Sequence, residues 1–149
     1  MDDAIRRQLV AVNSAVNRTN ELYGRWARRH RLNYNSLMIL YYLQNTESCT
    51  QKQLCDSLLM PKQTVNSICK ELESGGYLSL SAAADRRERT LRFTPAGHDY
   101  ADALLCGLQA AEEQTMLKMG PELCSALIES NERFCAIFES EVENEQPIR

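Results

Sequence analysis

Between Thr50 and Thr94 the apolar residues of this chain change their spacing from helical to alternating, and few folds accommodate that order. Thr50 precedes Gln51-Lys52-Gln53, so its hydroxyl can cap the amide three residues on while Gln53 reaches back. Leu54, Leu58 and Leu59 give the following helix one apolar stripe. Pro61 suits the first turn of a second helix, where the amide it lacks would have no intrahelical partner. Val65, Ile68, Cys69 and Leu72 recur at helical spacing and should face a core. Gly75-Gly76 stops that helix, since glycine takes the left-handed conformation at little cost. Beyond the glycines the period falls to two. Leu78 and Leu80 alternate with serines, and Leu91 and Phe93 with Thr90 and Arg92, as half-buried strands do. Thr94-Pro95 then caps and opens another helix. The expectation is a helix, a tight turn, a helix and a β-hairpin wing whose tip holds Asp85-Arg86-Arg87-Glu88-Arg89.

The outward face of the second helix carries Lys62, Gln63, Thr64, Asn66, Ser67 and Lys70. Gln63, Thr64, Asn66 and Ser67 can pair with base edges, and Lys62 and Lys70 with phosphates. Gln51 and Lys52 stand at a helix start, where free amides and the helix dipole favour an anion. Arg87 would reach from the wing toward a minor groove with Arg86 and Arg89 beside it, while Asp85 would hold the wing in shape through a neighbouring arginine. These residues point to double-stranded DNA as the partner. The net charge of −3 argues the other way, but its distribution matters more. Thr50–Thr94 holds seven basic residues (Lys52, Lys62, Lys70, Arg86, Arg87, Arg89, Arg92) against five acidic ones. From Pro95 onward there are three basic residues against eleven acidic ones, so the negative charge is pooled outside the expected reading surface. Arg25, Arg28, Arg29 and Arg31 cluster near the end of the first helix and read as a solvated face.

The run from Asp85 through Thr94-Pro95-Ala96-Gly97 resembles the wing signature of the MarR family of bacterial regulators: an Asp-x-Arg, a short strand, then Thr-x-x-Gly at the next helix start. Lys62-Gln63-Thr64-Val65-Asn66 is similar to the start of that family's recognition helix, and Leu72-Glu73 with Gly76-Tyr77-Leu78 to its exit. Pro61 stands where the family often has Ser or Asp. The resemblance runs nearly end to end. It implies a single domain over 1–149, mainly α with a small β-hairpin wing, a winged helix-turn-helix over 33–94, a recognition helix near 61–74 and a wing near 77–94. It also implies dimerisation helices at 1–31 and 96–144.

The flanks carry the apolar stripes such a dimer needs. Ile5, Leu9, Val12, Val16, Tyr23 and Trp26 follow a heptad-like spacing interrupted by Thr19. Leu104, Leu105, Leu108, Met116 and Met119 mark one helix that Gly120-Pro121 breaks, and Leu123, Leu127, Phe134, Ile137, Phe138 and Val142 mark a last one. Two such chains about a two-fold axis would set their reading helices about 34 Å apart, one turn of DNA. The helix from about Tyr34 to Gln44, capped by Asn33, is apolar nearly all round and should be buried. The family resemblance further implies a small-molecule effector site, for which Tyr23, Trp26, His30, Tyr34, Tyr41 and Tyr42 are candidates; ordinary core and rim packing is the simpler reading of these rings.

Other functions find less support. The histidines are two, His30 and His98, and no Gly-rich phosphate loop or Gly-x-Ser-x-Gly occurs, so no enzyme, metal or cofactor is expected. The six cysteines form no CxxC pair and read as reduced thiols of a cytoplasmic protein. Cys49, just ahead of the capped helix, is the candidate for an exposed, redox-active thiol. No apolar run reaches membrane-spanning length, and Met1-Asp2-Asp3 begins a polar stretch unlike a signal peptide. The expected function is a homodimeric transcriptional regulator acting on a pseudo-palindromic site. The alternatives are a protein-interaction module and a cysteine-based redox sensor on the same fold.

Overall fold

The computed structural model describes residues 1–82 and 89–145. Asp85, Arg86 and Arg87, and so the tip of the wing, lie outside the described residues. The chain divides into two compact units, Met1–Cys106 and Gly107–Arg149.

The first unit begins with α1 (Asp3–Arg29), capped by the Asp2 carboxylate on the Ala4 amide at 2.6 Å. It continues through α2 (Tyr34–Gln44), β1 (Cys49–Thr50), α3 (Gln51–Leu58), α4 (Lys62–Ser74) and the strands β2 (Leu78–Ala82) and β3 (Arg89–Phe93), and it ends in the first turns of α5 (Pro95–Asn144). α2 is the central helix. Leu37, Ile39, Leu40 and Leu43 are fully buried, as expected for a helix apolar on nearly all sides, and Asn33 caps it through Ser36 N–H at 2.9 Å. Leu54 of α3, Val65 and Cys69 of α4, Leu91 of β3 and Leu105 of α5 complete the core. α1 is tied to this body by the Trp26 indole, which donates to the Leu104 carbonyl at 3.3 Å, and α2 by Gln44, which donates to Asp102 at 2.7 Å.

The sheet has three antiparallel strands in the order β1-β3-β2. Leu78 faces Phe93 and Leu80 faces Leu91 in register, so the alternation read from the sequence is the observed one. β1 was not anticipated. It is two residues long, Cys49 opposite Leu91 and Thr50 opposite Thr90, and no period can show in two residues. It overturns one expectation: Cys49 is buried against β3 at 3% exposure, not exposed ahead of α3. Leu59 also departs from its expected role. α3 ends at Leu58, and Leu59 turns left-handed (φ 50°) as the C-cap and is 91% exposed. A leucine in that conformation costs about 1–2 kcal/mol, and the turn between α3 and α4 contains no glycine to relieve it.

The capping box is present in both halves: Gln53 N–H to Thr50 Oγ1 at 3.1 Å and Thr50 N–H to Gln53 Oε1 at 2.8 Å. α4 has no side-chain cap, because Pro61 occupies that position. Its other end is closed twice. Gly76 (φ 77°) donates to the Glu73 carbonyl and Tyr77 N–H to the Leu72 carbonyl, both at 2.9 Å, the paired bonds of a Schellman motif.

Thr94 joins this helix end to α5. Its N–H donates to the Tyr77 carbonyl at 3.0 Å, its hydroxyl donates to the Gly76 carbonyl at 2.6 Å, and the same oxygen accepts the Gly97 N–H at 3.0 Å. Gly97 sits so close that a Cβ there would lie 2.0 Å from the Tyr77 carbonyl oxygen. The Thr-x-x-Gly motif is therefore a cap plus a close backbone approach, which only glycine permits.

The second unit is helical. Gly120 (φ 77°, ψ 161°) interrupts α5 ahead of Pro121, at the break expected from the sequence. Leu123, Leu127, Phe134, Ile137, Phe138 and Val142 are all exposed in the single chain, and the Phe134 and Phe138 rings stack at 5.7 Å.

Gly97→Ala should destabilise the chain by about 3 kcal/mol, since backbone must shift to admit the methyl, and the urea midpoint should fall with the slope unchanged. Burial pushes the Cys49 thiol up to about 11 and the Cys69 thiol up to about 12, with Cys49, Cys55 and Glu73 nearby adding to the second. At pH 7 these two thiols should stay unalkylated in the native protein and react only on unfolding, as peptide mass mapping will report. The same shifts have a sign in stability. The unfolded thiols ionise near 9 while the folded ones stay protonated, so unfolding free energy should fall as pH rises from 9 toward 11 and 12.

Candidate nucleic-acid interface

Four residues of α4, Val65, Ile68, Cys69 and Leu72, are buried, and this decides what the helix presents outward. Lys62, Gln63, Ser67 and Lys70 are exposed, and Thr64 and Asn66 are half-buried on the flanks. The helix stands as a ridge with an open groove along each side.

The first groove, of about 720 Å³, runs between α4, α3 and the hairpin. Lys62, Asn66 and Lys70, spaced four apart, form its α4 wall; Gln51 and Lys52 enter from the start of α3, and Arg89 from the base of the wing. The second groove, of about 780 Å³, runs between α4 and the start of α2. Gln63, Thr64 and Ser67 line it opposite Asn33, Tyr34 and Asn35. The structure thus gathers every described residue of the expected DNA surface around one helix, and sorts them. Four cations border the first groove, while the wall of the second is uncharged except for Glu71.

The carboxylates were missed by sequence reasoning. Asp56 and Glu73 share the first groove with the lysines, and Glu71 lies in the second. Their signal was present in the helical spacing: Glu73 falls three residues beyond Lys70, and Glu71 four beyond Ser67. Asp56 belongs to α3, while Glu71 and Glu73 sit in the C-terminal half of α4, so the half-helix from Lys62 to Ser67 carries no acidic residue of its own.

The aromatic candidates for an effector site are dispersed among several roles. The Trp26 ring lies 4.8 Å from that of His30, and its N–H is bonded to Leu104. The Tyr34 hydroxyl donates to Asn20 at 3.4 Å, and its ring side borders the second groove beside α4. Neither groove is lined by Tyr23, Trp26, His30 or Tyr41. The Tyr42 oxygen accepts from the Ser57 hydroxyl at 3.2 Å, which ties α2 to α3. His98 packs edge-on against Phe93 at 5.2 Å. Among the described residues no group of three or more His, Cys, Asp or Glu side chains is arranged to hold a metal ion. No described helix is long and apolar enough to cross a membrane.

What this surface can do is bind a polyanion whose grooves match a helix. A protruding helix with amide and hydroxyl side chains at its crest, flanked by lysines and an arginine, fits the major groove of a duplex between its phosphate strands.

Comparison with known proteins gives a consistent placement. The MarR family model matches residues 32–88, which hold α2, α3, α4 and the first half of the hairpin. A MarR family regulator from Neisseria meningitidis superposes with a TM-score of 0.81 at 28% identity, over 93% of this chain and 99% of that one. A Staphylococcus aureus MarR, solved with salicylate and kanamycin, superposes at 0.71 with 16% identity over 93% and 95%. The Bordetella bronchiseptica regulator BpsR superposes at 0.66 with 17% identity over 84% and 90%. No curated protein sequence matches the chain. The segment from α2 to the first half of the hairpin thus matches the MarR family model, and nearly the whole chain shares the winged-helix fold of a MarR family regulator.

Proposed function

We propose that the chain is a homodimeric, cytoplasmic transcription regulator that places α4 in the major groove of a pseudo-palindromic DNA site and represses a nearby operon. The observation that carries this is the α4 ridge, with base-reading side chains at its crest and the lysines and Arg89 beside it. Gln63 and Ser67 read base edges from the crest, with Thr64 and Asn66 reaching from its two flanks. Lys62 and Lys70 hold phosphates, Gln51 and Lys52 clamp the backbone from the α3 start, and Arg89 with Arg86 and Arg87 extends the contact along the wing.

Dimerisation is supported by apolar surface left uncovered in the single chain. Ile5, Val12 and Val16 share one face of α1, and Leu123, Leu127, Phe134 and Phe138 share one face of the last helical stretch; all are exposed. Continuous apolar faces of this length mark an interface. The regions 1–31 and 96–144 supply it. A small-molecule effector is supported by two structural relatives: DNA binding by BpsR is regulated by 6-hydroxynicotinic acid, and the Staphylococcus aureus MarR binds salicylate. For this chain Tyr23, Trp26, His30, Tyr34 and Tyr41 are the aromatic side chains to test by ligand-induced fluorescence.

Titration of duplex DNA from around the chain's own gene, over a salt series, tests the reading; binding that is absent even at low ionic strength ends it. Arg89→Ala and Arg87→Ala should each weaken binding and flatten the log–log salt dependence by about one unit for every phosphate left without its cation. Phe138→Asp should convert a dimer to a monomer by light scattering. It should also cut affinity for a two-half-site duplex far more than for a single half-site.

A further inference from the structure

We propose that Tyr100 is a positioning residue for DNA binding, which sets the direction of the wing by clamping Tyr77 from α5. The inference rests on the DNA-binding reading above. Tyr77 is the single residue that joins the turn after α4 to the start of β2. Its N–H is bonded to Leu72 of α4, and its carbonyl accepts from Thr94 at the exit of β3. Its ring stacks on the Tyr100 ring, with centroids 4.4 Å apart and planes 17° from parallel. The Tyr77 ring is also close to the end of α4, since a Cβ on Gly75 would lie 3.0 Å from it. Backbone and ring of Tyr77 are therefore held from three elements, and Tyr100 supplies the only partner from beyond the first turn of α5 among these contacts.

Leverage makes this residue matter. β2 runs five residues, so a point at the far end of the strand lies about 17 Å from Tyr77, and a slack of about 10° at the base would move it about 3 Å. A hydrogen bond to phosphate tolerates far less than that. Arg89, at the distal end of β3, would drift out of reach while its own side chain remained intact. Burial, with Tyr77 and Glu71 adding, raises the Tyr100 phenol above its ordinary value, so the ring is neutral at pH 7 and acts by stacking.

The test compares Tyr100→Phe, which keeps the stacked ring, with Tyr100→Leu, which keeps apolar bulk without it. Each is measured by melting temperature and by duplex titration over a salt series, alone and combined with Arg89→Ala. Tyr100→Phe should bind like the parent. Tyr100→Leu should bind about tenfold more weakly and with about one unit less salt slope, the signature of one phosphate no longer neutralised. Because Tyr100 acts through the wing, adding Arg89→Ala should cost little more. The inference is overturned if the parent binds DNA and folded Tyr100→Leu keeps its affinity and slope, or if the two losses add in full. A parent that binds no duplex would instead remove the DNA-binding reading itself.

Discussion

One hydroxyl joins the end of α4 to the start of α5. Thr94 Oγ1 accepts the Gly97 amide, which opens α5, and donates to the Gly76 carbonyl, which closes α4. The first amides of a helix have no intrahelical partner, and the Thr94 oxygen satisfies one of them, Gly97 N–H, while its proton goes to the Gly76 carbonyl just past the end of α4. The geometry demands contact between backbones, with no room for a methyl between Gly97 and the Tyr77 carbonyl. Hydrogen bonds and sterics reinforce one another at that point. The hydroxyl fixes the distance, and the missing side chain permits it. α4, the hairpin base and the start of α5 consequently form one rigid corner.

Charge on this molecule is local. Exposed charges further apart than about 8 Å are largely screened at physiological ionic strength, so a net value of −3 says little about what one face attracts. The groove between α3, α4 and the wing combines Lys52, Lys62, Lys70 and Arg89 with Asp56 and Glu73. That mixture is less cationic than a generic DNA-binding face. On the DNA-binding reading proposed above it would favour a duplex presented in one register, since Glu71 and Glu73 would repel a phosphate at the C-terminal half of α4. Weaker non-specific attraction raises the ratio on which selection of one site depends.

How much of this was legible depended on whether a residue's partner was near in sequence. The capping box, the glycine stop after α4, the alternation of Leu78 and Leu80 and of Leu91 and Phe93, and the break at Gly120 all follow from local pattern, and all are present. Leu59 misled because it extends an apolar spacing one residue past the point where the helix ends. Cys49 misled because its burial comes from pairing with Leu91, forty-two positions away (91 − 49), in a strand too short to show a period. Tyr34 stands with the α1 aromatics as an effector candidate because of the family resemblance; the fold sets it beside Gln63 and Thr64 in the second groove. The Tyr77–Tyr100 stack had no sequence signal, since neither residue lies on a periodic stripe.

The exposed apolar faces and the strained turn bear on one question, how a small reading head reaches useful specificity. One α4 helix offers four side chains proposed to read bases, Gln63, Thr64, Asn66 and Ser67, and each good base pairing discriminates by about 1–3 kcal/mol. Four such contacts sum to about 4–12 kcal/mol, and the lower half of that range is too little to single out one site in a genome. Coupling two heads doubles the difference, because both half-sites must match at once. It also makes rigidity within each head worth its cost, since slack in either would blur the spacing between them. The left-handed Leu59 costs about 1–2 kcal/mol but sets how α3 and α4 meet, and with it which residues of α4 stand clear of the core. A glycine there would relieve the strain and loosen the turn. The dimeric reader proposed above would gain more from the stiff turn than from the stability it forgoes.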